Sequence, residues 1–355
     1  MARGSVKLSD VAKAAGVSQG TASNVFSRPN LVREEVRERV RATARELGYA
    51  GPDPKGRLLR AGKVNAVGVA TAEPLSYFFE DEFARVLMAG MSEACDAAGA
   101  GLALVSAKND ERLAWNIQSA LVDGFVLLCI EGGERLVELT RERQLPFVAL
   151  ALGKPDESVS AVGVDDYEGG RIAAEHIAGL GHRRIGILAL ELDDEHEGPA
   201  DLARIAAATY STARDRAHAY FDVFEKRGVP RGAIPVYETR STRDSVHRGL
   251  EYLFSEGERP TAILAMSDRV AMFALDWLRE RKLSVPRDVS IIGFDGVPEA
   301  ALTEPPLTTI EQPIAEIGRR AVERILAGDT EVRREILPVK LVVRGSTAEP
   351  RNRDL

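Results

Sequence analysis

Gln19, Gly20, Thr21, Ser23 and Asn24 place amides and hydroxyls, with very little bulk, on one short stretch near the start of the chain. Such groups hydrogen-bond base edges and phosphate oxygens and serve a hydrophobic core poorly. A second set lies far downstream. Arg216 sits near the start of an amphipathic segment, and Asp295 stands just beyond the apolar run 289–294. A guanidinium and a carboxylate at helix-start and strand-end positions form a clamp for the hydroxyls of a polar ligand; an ion pair serving only the fold is the alternative.

The first set needs a helix with one solvent face. Apolar residues recur at 8, 11, 12 and 15 and again at 22, 25 and 26, the spacing of two short amphipathic helices. Gly16 divides them where a tight helix-to-helix turn needs positive φ. Ser18 stands at the N-cap position, its hydroxyl able to accept a free N–H of the second helix. A third helix follows, with Val36, Val40, Ala44 and Leu47 at helical spacing and Gly48 to end it. Residues 6–51 therefore read as an all-α helix-turn-helix headpiece whose second helix suits the DNA major groove. In residues 52–63, Pro52 and Pro54 keep a helix from entering and Gly62 ends what forms after them. The remainder is too short to be helical alone. It reads as a basic linker, or as a hinge that orders on DNA and wedges a leucine between base steps.

Charge follows the same division. The 355-residue chain carries 47 Lys and Arg against 54 Asp and Glu, net −7. Residues 1–63 hold 13 basic and 6 acidic side chains, which leaves the rest at −14. A basic head on an acidic body suits a protein whose head alone approaches a polyanion. Cys95 and Cys129 are the only cysteines, both in apolar or helical surroundings; they read as small core residues, with no disulfide framework or thiolate metal site. No apolar run reaches the ~20 residues that span a bilayer, and no signal-peptide stretch is found, so a cytoplasmic protein without a membrane partner is expected.

The headpiece and hinge resemble the lactose-repressor/galactose-repressor (LacI/GalR) family of bacterial transcription factors. The resemblance is carried by Asp10-Val11-Ala12-Lys13-Ala14-Ala15-Gly16-Val17-Ser18, Arg37-Glu38-Arg39-Val40, Glu46-Leu47-Gly48-Tyr49 and Leu59-Arg60-Ala61-Gly62. It implies that Gln19 and Gly20 occupy the two main base-reading positions, with Asn24 a third, and that Ser18, Thr21 and Ser23 contact phosphates. Leu59 would be the minor-groove wedge. The hinge is one residue longer than the commonest family pattern, which leaves Leu58 as the alternative, and Lys7 and Arg33 replace the usual Thr and Ser caps.

From residue 64 short apolar runs alternate with amphipathic segments. Strands are expected at 66–70, 101–105, 124–128, 147–150, 161–164, 184–189, 234–237, 262–265, 290–294 and 337–343, and helices at 83–98, 168–179, 212–227, 243–255, 268–281 and 314–327. Such βαβ repetition gives parallel sheets covered on both faces, two subdomains of about five strands each, and a ligand site at the strands' carboxyl ends. The same family resemblance covers nearly the whole body, through Asp123-Gly124-Phe125, Val164-Asp165-Asp166, Leu180-Gly181-His182, Ser267-Asp268-Arg269, Gly293-Phe294-Asp295 and Pro305-Pro306-Leu307. It implies an α/β periplasmic-binding-protein-like core of two parallel-sheet subdomains over 64–347, for effector binding and dimerisation. The first lobe would take about 64–163 and 313–330, the second about 164–312 and 331–347, with 348–355 a tail. It further implies that Arg216 and Asp295 hold the effector, that Ser267 takes a position often occupied by Asn, and that Tyr77 and Phe78 are first-lobe aromatics able to stack on a ring. Ala151 replaces a common first-lobe Asp, which removes a polar clamp from that side.

Other chemistry falls away. Gly16-Val17-Ser18-Gln19-Gly20 matches a nucleophile elbow but follows a helix, where that motif needs a strand. Gly179-Leu180-Gly181 leaves a helix and enters a strand, the reverse of a dinucleotide loop. The five histidines share no ligand spacing, and the acidic run 192–198 lacks the alternating oxygen donors of a calcium loop, so it reads as a solvated surface loop. No catalytic residue, metal or cofactor is expected. The expectation is a transcriptional repressor that binds a palindromic operator in double-stranded DNA as a homodimer, since no heptad tail follows Thr347. A small polar, sugar-like effector in the cleft between lobes would control it. A solute-binding protein on the same core would lack the headpiece, and an α/β enzyme would need a nucleophile–base pair that the chain does not offer.

Overall fold

The computed structural model describes residues 6–51, 62–108, 110–128, 134–150, 158–255 and 259–351. Leu58, Leu59, Cys129 and Ala151 lie outside the described residues. Residues 1–64 and 65–355 form two compact units.

In the first unit, helices Leu8–Ala14 and Gln19–Ser27 meet at Gly16, whose φ of 67° is the conformation that lets the chain turn so tightly. Ser18 caps the second helix, its Oγ accepting the Thr21 N–H at 3.1 Å, a contact of ~1 kcal/mol by the usual cost of removing such a cap. The first helix opens differently from a Thr-capped one: Lys7 donates its own N–H to the Asp10 carboxylate at 2.9 Å. The third helix, Glu34–Leu47, has no side-chain cap at Arg33; Glu34 and Glu35 place negative charge in its first turn instead, where it complements the helix dipole. Val11, Ala12, Ala15, Ala22, Val25, Val40 and Ala44 form the buried core. Leu47 does not join it; at 39% exposure it leaves Tyr49 to pack edge-on against Phe26, ring centroids 5.7 Å apart.

The second unit holds two sheets. In chain order the strands are β1 (Ala66–Thr71), β2 (Gly101–Ser106), β3 (Gly124–Leu128), β4 (Phe147–Ala149), β5 (Ala161–Val164), β6 (Ile185–Ala189), β7 (Gly198–Pro199), β8 (Val236–Glu238), β9 (Ala262–Ala265), β10 (Ser290–Asp295), β11 (Thr308–Glu311), β12 (Arg334–Leu337) and β13 (Lys340–Val342). The first sheet runs β12-β5-β4-β3-β1-β2, parallel throughout; the second runs β13-β11-β10-β9-β6-β8-β7, with β13 and β7 antiparallel at its edges. Every residue of β3, β6, β9 and β10 is buried, which is why these segments read as unbroken apolar runs: helices cover both faces.

The chain passes between lobes three times. It leaves the first sheet after β5 and returns after β11, when helix Ile314–Ala327 packs on helix Glu82–Ala98. That packing is close because Gly90 and Gly318 face the opposing backbone. A Cβ at Gly90 would fall on the Ala315 carbonyl, and one at Gly318 would lie 2.5 Å from the Leu87 carbonyl oxygen. The third crossing corrects the expected boundary. Residues 334–337 pair with β5 in the first lobe, so the second lobe resumes near 340 and not at 331. Pro338, which has no N–H for a ladder, splits the expected single strand 337–343 into β12 and β13. The expected tail also starts too early: Ala348 donates its N–H to Ser290 Oγ at 3.0 Å, and its carbonyl lies 2.9 Å from His182 Nε2.

Candidate functional site

On the headpiece, the second helix turns Ala22 and Val25 into the core and leaves the polar set outside. Ser18, Gln19 and Gly20 are exposed, while Thr21, Ser23 and Asn24 are half-buried. The Ser18 and Thr21 hydroxyls lie 2.9 Å apart, so both are held in place by the cap. A Cβ at Gly20 would meet nothing nearer than Ser18 Oγ at 3.8 Å, so its backbone lies open to any approaching surface. The six residues thus form one small, hydrogen-bonding face on a fixed helix.

In the second unit a cavity of about 800 Å³ opens between the lobes, lined by Tyr77 from the first and by Arg216, Ser267, Asp295 and Gln312 among others. Arg216, on helix Ser211–Glu225, is 3% exposed. Its Nε and Nη2 donate to Asp166 Oδ1 at 2.9 and 2.7 Å, and its Nη1 donates to the Met266 carbonyl at the end of β9. The guanidinium carbon lies 3.5 Å from the Phe294 ring centroid, a desolvated cation–π contact.

Asp295 ends β10 with a φ of 126°, a conformation that L residues adopt only under constraint. Two neighbours supply the constraint. Gln312 Nε2 donates to Asp295 Oδ1 at 2.8 Å, from the segment on which the chain returns to the first lobe. Asp268 takes the N–H groups of Gly296 and Val297 at 2.7 and 2.9 Å and the Thr309 hydroxyl at 2.5 Å, which locks the turn after Asp295. Burial pushes the Asp295 carboxyl well above the usual carboxylate range; Arg216 pulls it back and nearby Asp268 adds to the rise. Burial likewise lifts Asp268, up to about 7.

Ser267 faces the cavity but spends its hydroxyl as N-cap of helix Asp268–Glu280, accepting the Val270 N–H at 3.2 Å. Tyr77 lines the cleft as expected, whereas Phe78 does not. It is 2% exposed and packs into the first-lobe core, which corrects its expected place beside the ligand. Adjacent residues of a helix point about 100° apart, so only one of the two rings faces the cavity. The acidic run 192–198 is likewise more than a solvated loop. Glu238, fully buried, accepts the Leu192 N–H at 2.8 Å and Arg204 Nε at 2.7 Å, and lies 2.9 Å from His196 Nδ1.

Asp166, Asp268 and Gln312 have no role in the sequence reading. For Asp268 a signal existed: it is a carboxylate one residue beyond the apolar run 262–266, with Ser267 between, close to the strand-end rule that singles out Asp295. Among the described residues, no group of three or more His, Cys, Asp or Glu side chains converges as metal ligands would.

Residues 7–51 match the model for bacterial regulatory proteins of the lacI family, and 174–347 match a periplasmic binding protein-like domain. The chain is 37% identical over 352 residues to an HTH-type transcriptional regulator of Mycobacterium tuberculosis, covering 97% of each chain. Among solved structures it is similar to the lac repressor dimer bound to operator and the anti-inducer ONPF, with a TM-score of 0.74 and 25% identity over 97% of this chain and 99% of that one. It is also similar to the transcriptional regulator CelR–cellobiose complex, with a TM-score of 0.69 and 29% identity over 96% and 99%. The protein therefore belongs to the lacI family of bacterial regulatory proteins and is a DNA-binding transcriptional regulator rather than an enzyme.

Proposed function

We propose that it is a cytoplasmic repressor that binds an inverted-repeat operator as a homodimer, and that a small polar, sugar-like effector in the interlobe cleft controls it. Gln19, Gly20 and Asn24 read base edges; Ser18, Thr21 and Ser23 contact phosphates; Leu59, or Leu58, enters the minor groove. Arg216 and Asp295 take ligand hydroxyls, Ser267 and Tyr77 complete the wall, and Phe78 supports Tyr77 from the core. The observation that carries this reading is the floor of the cleft, where a buried guanidinium and a conformationally constrained carboxylate share one 800 Å³ cavity. One headpiece covers only a half-site, so two-fold symmetry in the protein calls for two-fold symmetry in the DNA.

The test is a gel shift on a palindromic promoter fragment, with and without sugars, using the wild type and Asp295→Asn. The reading predicts a dimer footprint that a sugar alters in the wild type and leaves unaltered in the variant. Footprinting of a lone, asymmetric half-site by a monomer, or an equal sugar response in Asp295→Asn, overturns it.

A further inference from the structure

A second cavity, of about 490 Å³, opens on the second lobe at the C-terminal ends of helices Arg243–Ser255 and Asp268–Glu280, and it shares no lining residue with the interlobe cleft. Trp277, in its wall, stands ten residues along the chain from Ser267 in the wall of the cleft. That is roughly 15 Å at the usual helical rise, so the two cavities are separate places.

Trp277 is 3% exposed, and its indole N–H is buried with no hydrogen-bond partner. Buried donors are nearly always paired, because an unpaired one gives up its bond to water for nothing. An acceptor brought from outside the chain would complete it. The rest of the wall says what carries that acceptor. Phe254 packs tilted against Trp277, ring centroids 5.3 Å apart, and Leu283 extends the apolar floor. Over the indole lies the Arg281 guanidinium, its carbon 3.8 Å from the ring centroid, and Arg259 adds a second guanidinium to the wall. Glu251 is the one carboxylate among the described lining residues, and it accepts from Arg281 Nη2 at 3.0 Å. Both partners of that pair are well exposed, so it contributes little and exchanges readily. Two guanidinium groups against one carboxylate make the wall locally positive, on a body that carries net −14.

We infer that this cavity is a second ligand site, separate from the effector cleft, and that it takes a small aromatic carboxylate. The ligand ring lies on Phe254 and Leu283, its carboxylate replaces Glu251 as the partner of Arg281, and a carboxylate oxygen accepts the Trp277 N–H once Arg281 has turned toward the ligand. Arg259 holds further positive charge at the rim. A cation meets two guanidinium groups here, and an acid without a ring leaves the apolar floor uncovered, so charge and ring are both required.

The experiment exploits the chain's two tryptophans. Trp115 is 72% exposed, so Trp115→Phe leaves the fold intact and makes Trp277 the sole reporter. The full-length variant is titrated with benzoate, phenylacetate and 3-phenylpropionate, with their amides, and with acetate, read by Trp277 emission and by calorimetry. The acids should bind saturably and their amides about tenfold more weakly, and acetate should leave the emission unchanged. Arg259→Gln with Arg281→Gln, both on exposed side chains, should bring the acids down to the level of the amides, and Trp277→Phe should weaken the acids by calorimetry. Asp295→Asn, in the cleft, should leave their binding as it is. Four results overturn the inference: no saturable binding, equal binding of acid and amide, loss of binding in Asp295→Asn, which would put the acids in the cleft, and a Trp277 emission that changes with protein concentration alone, which would mean that a second copy of the chain covers the cavity.

Discussion

Replacing Arg216 by Met tests whether the clamp belongs to the ligand alone or also to the fold. Methionine keeps most of the aliphatic volume, so the cavity left behind is small and the loss is chiefly polar. Gone are two charge-assisted hydrogen bonds to Asp166, one to the Met266 carbonyl, and the cation over Phe294. Breaking a buried pair by removing one partner costs ~3–5 kcal/mol. Asp166 keeps 20% of its side-chain surface in water and can rehydrate, so the lower end, ~3 kcal/mol, applies. At ~2–4 °C per kcal/mol for a domain of this size, the melting temperature should fall by about 6–12 °C. The assay is calorimetric unfolding of wild type, Arg216→Met, Asp166→Asn and the double variant. A coupling energy of ~1–3 kcal/mol in that cycle is expected for groups in direct contact. A melting temperature within about 2 °C of wild type, or a coupling near zero, would show that Arg216 is held loosely and that the pair is incidental.

Asp268 predicts a pH signature. Its carboxyl is raised in the folded state to about 7 from an ordinary 3.8, so its contribution to stability is full below the unfolded value, declines as pH rises through the interval, and is level above about 7. With Asp295 and Arg344 beside it unchanged, the stability of the wild type relative to Asp268→Asn should therefore decline between about pH 4 and pH 7 in urea titrations; a relative stability that grows with pH contradicts the assignment. Gly90→Ala should force helices Glu82–Ala98 and Ile314–Ala327 apart and cost ~1–3 kcal/mol, the usual range for overpacking; an unchanged urea midpoint would mean the two helices yield freely. On DNA, Gln19→Ala should relax base preference at one position of each half-site, whereas Thr21→Ala should weaken all sequences alike, read by gel shift across operator variants. Equal loss of specificity from both would place the reading helix in the wrong register.

What the sequence shows well is what a few neighbouring residues decide. Gly16, Ser18 and the apolar spacing around them specify a turn, a cap and a buried stripe without outside help, and the headpiece forms accordingly. The long apolar runs at β3, β6, β9 and β10 are equally plain, since full burial leaves no ambiguity of face. β12 is hidden for the opposite reason. Arg334-Glu335-Ile336-Leu337 is a mostly exposed edge strand, so little of its side-chain pattern is set by burial, and its partner β5 lies some 170 residues earlier. The boundary error at 331 follows directly: a strand recruited by a distant edge carries no local mark of the lobe it joins.

The clamp shows the same limit at the level of single side chains. Arg216 and Asp295 are visible as charges at helix-start and strand-end positions, but what makes them a site is contributed from elsewhere. Asp166 fixes the guanidinium from 50 residues upstream, and Asp268 and Gln312 hold the carboxylate in its constrained conformation. Gln312 lies on the segment that carries the chain back to the first lobe, so a ligand that shifts Asp295 also pulls on the connection between lobes. Arg269 adds a second tie, reaching from helix Asp268–Glu280 to Glu82 of the first lobe at 2.8 Å. A ligand can move the lobe equilibrium only by its difference in affinity for the two arrangements, and on the proposed effector reading these contacts are where that difference would arise. By linkage, whatever factor the effector imposes on operator affinity, the operator imposes on effector affinity.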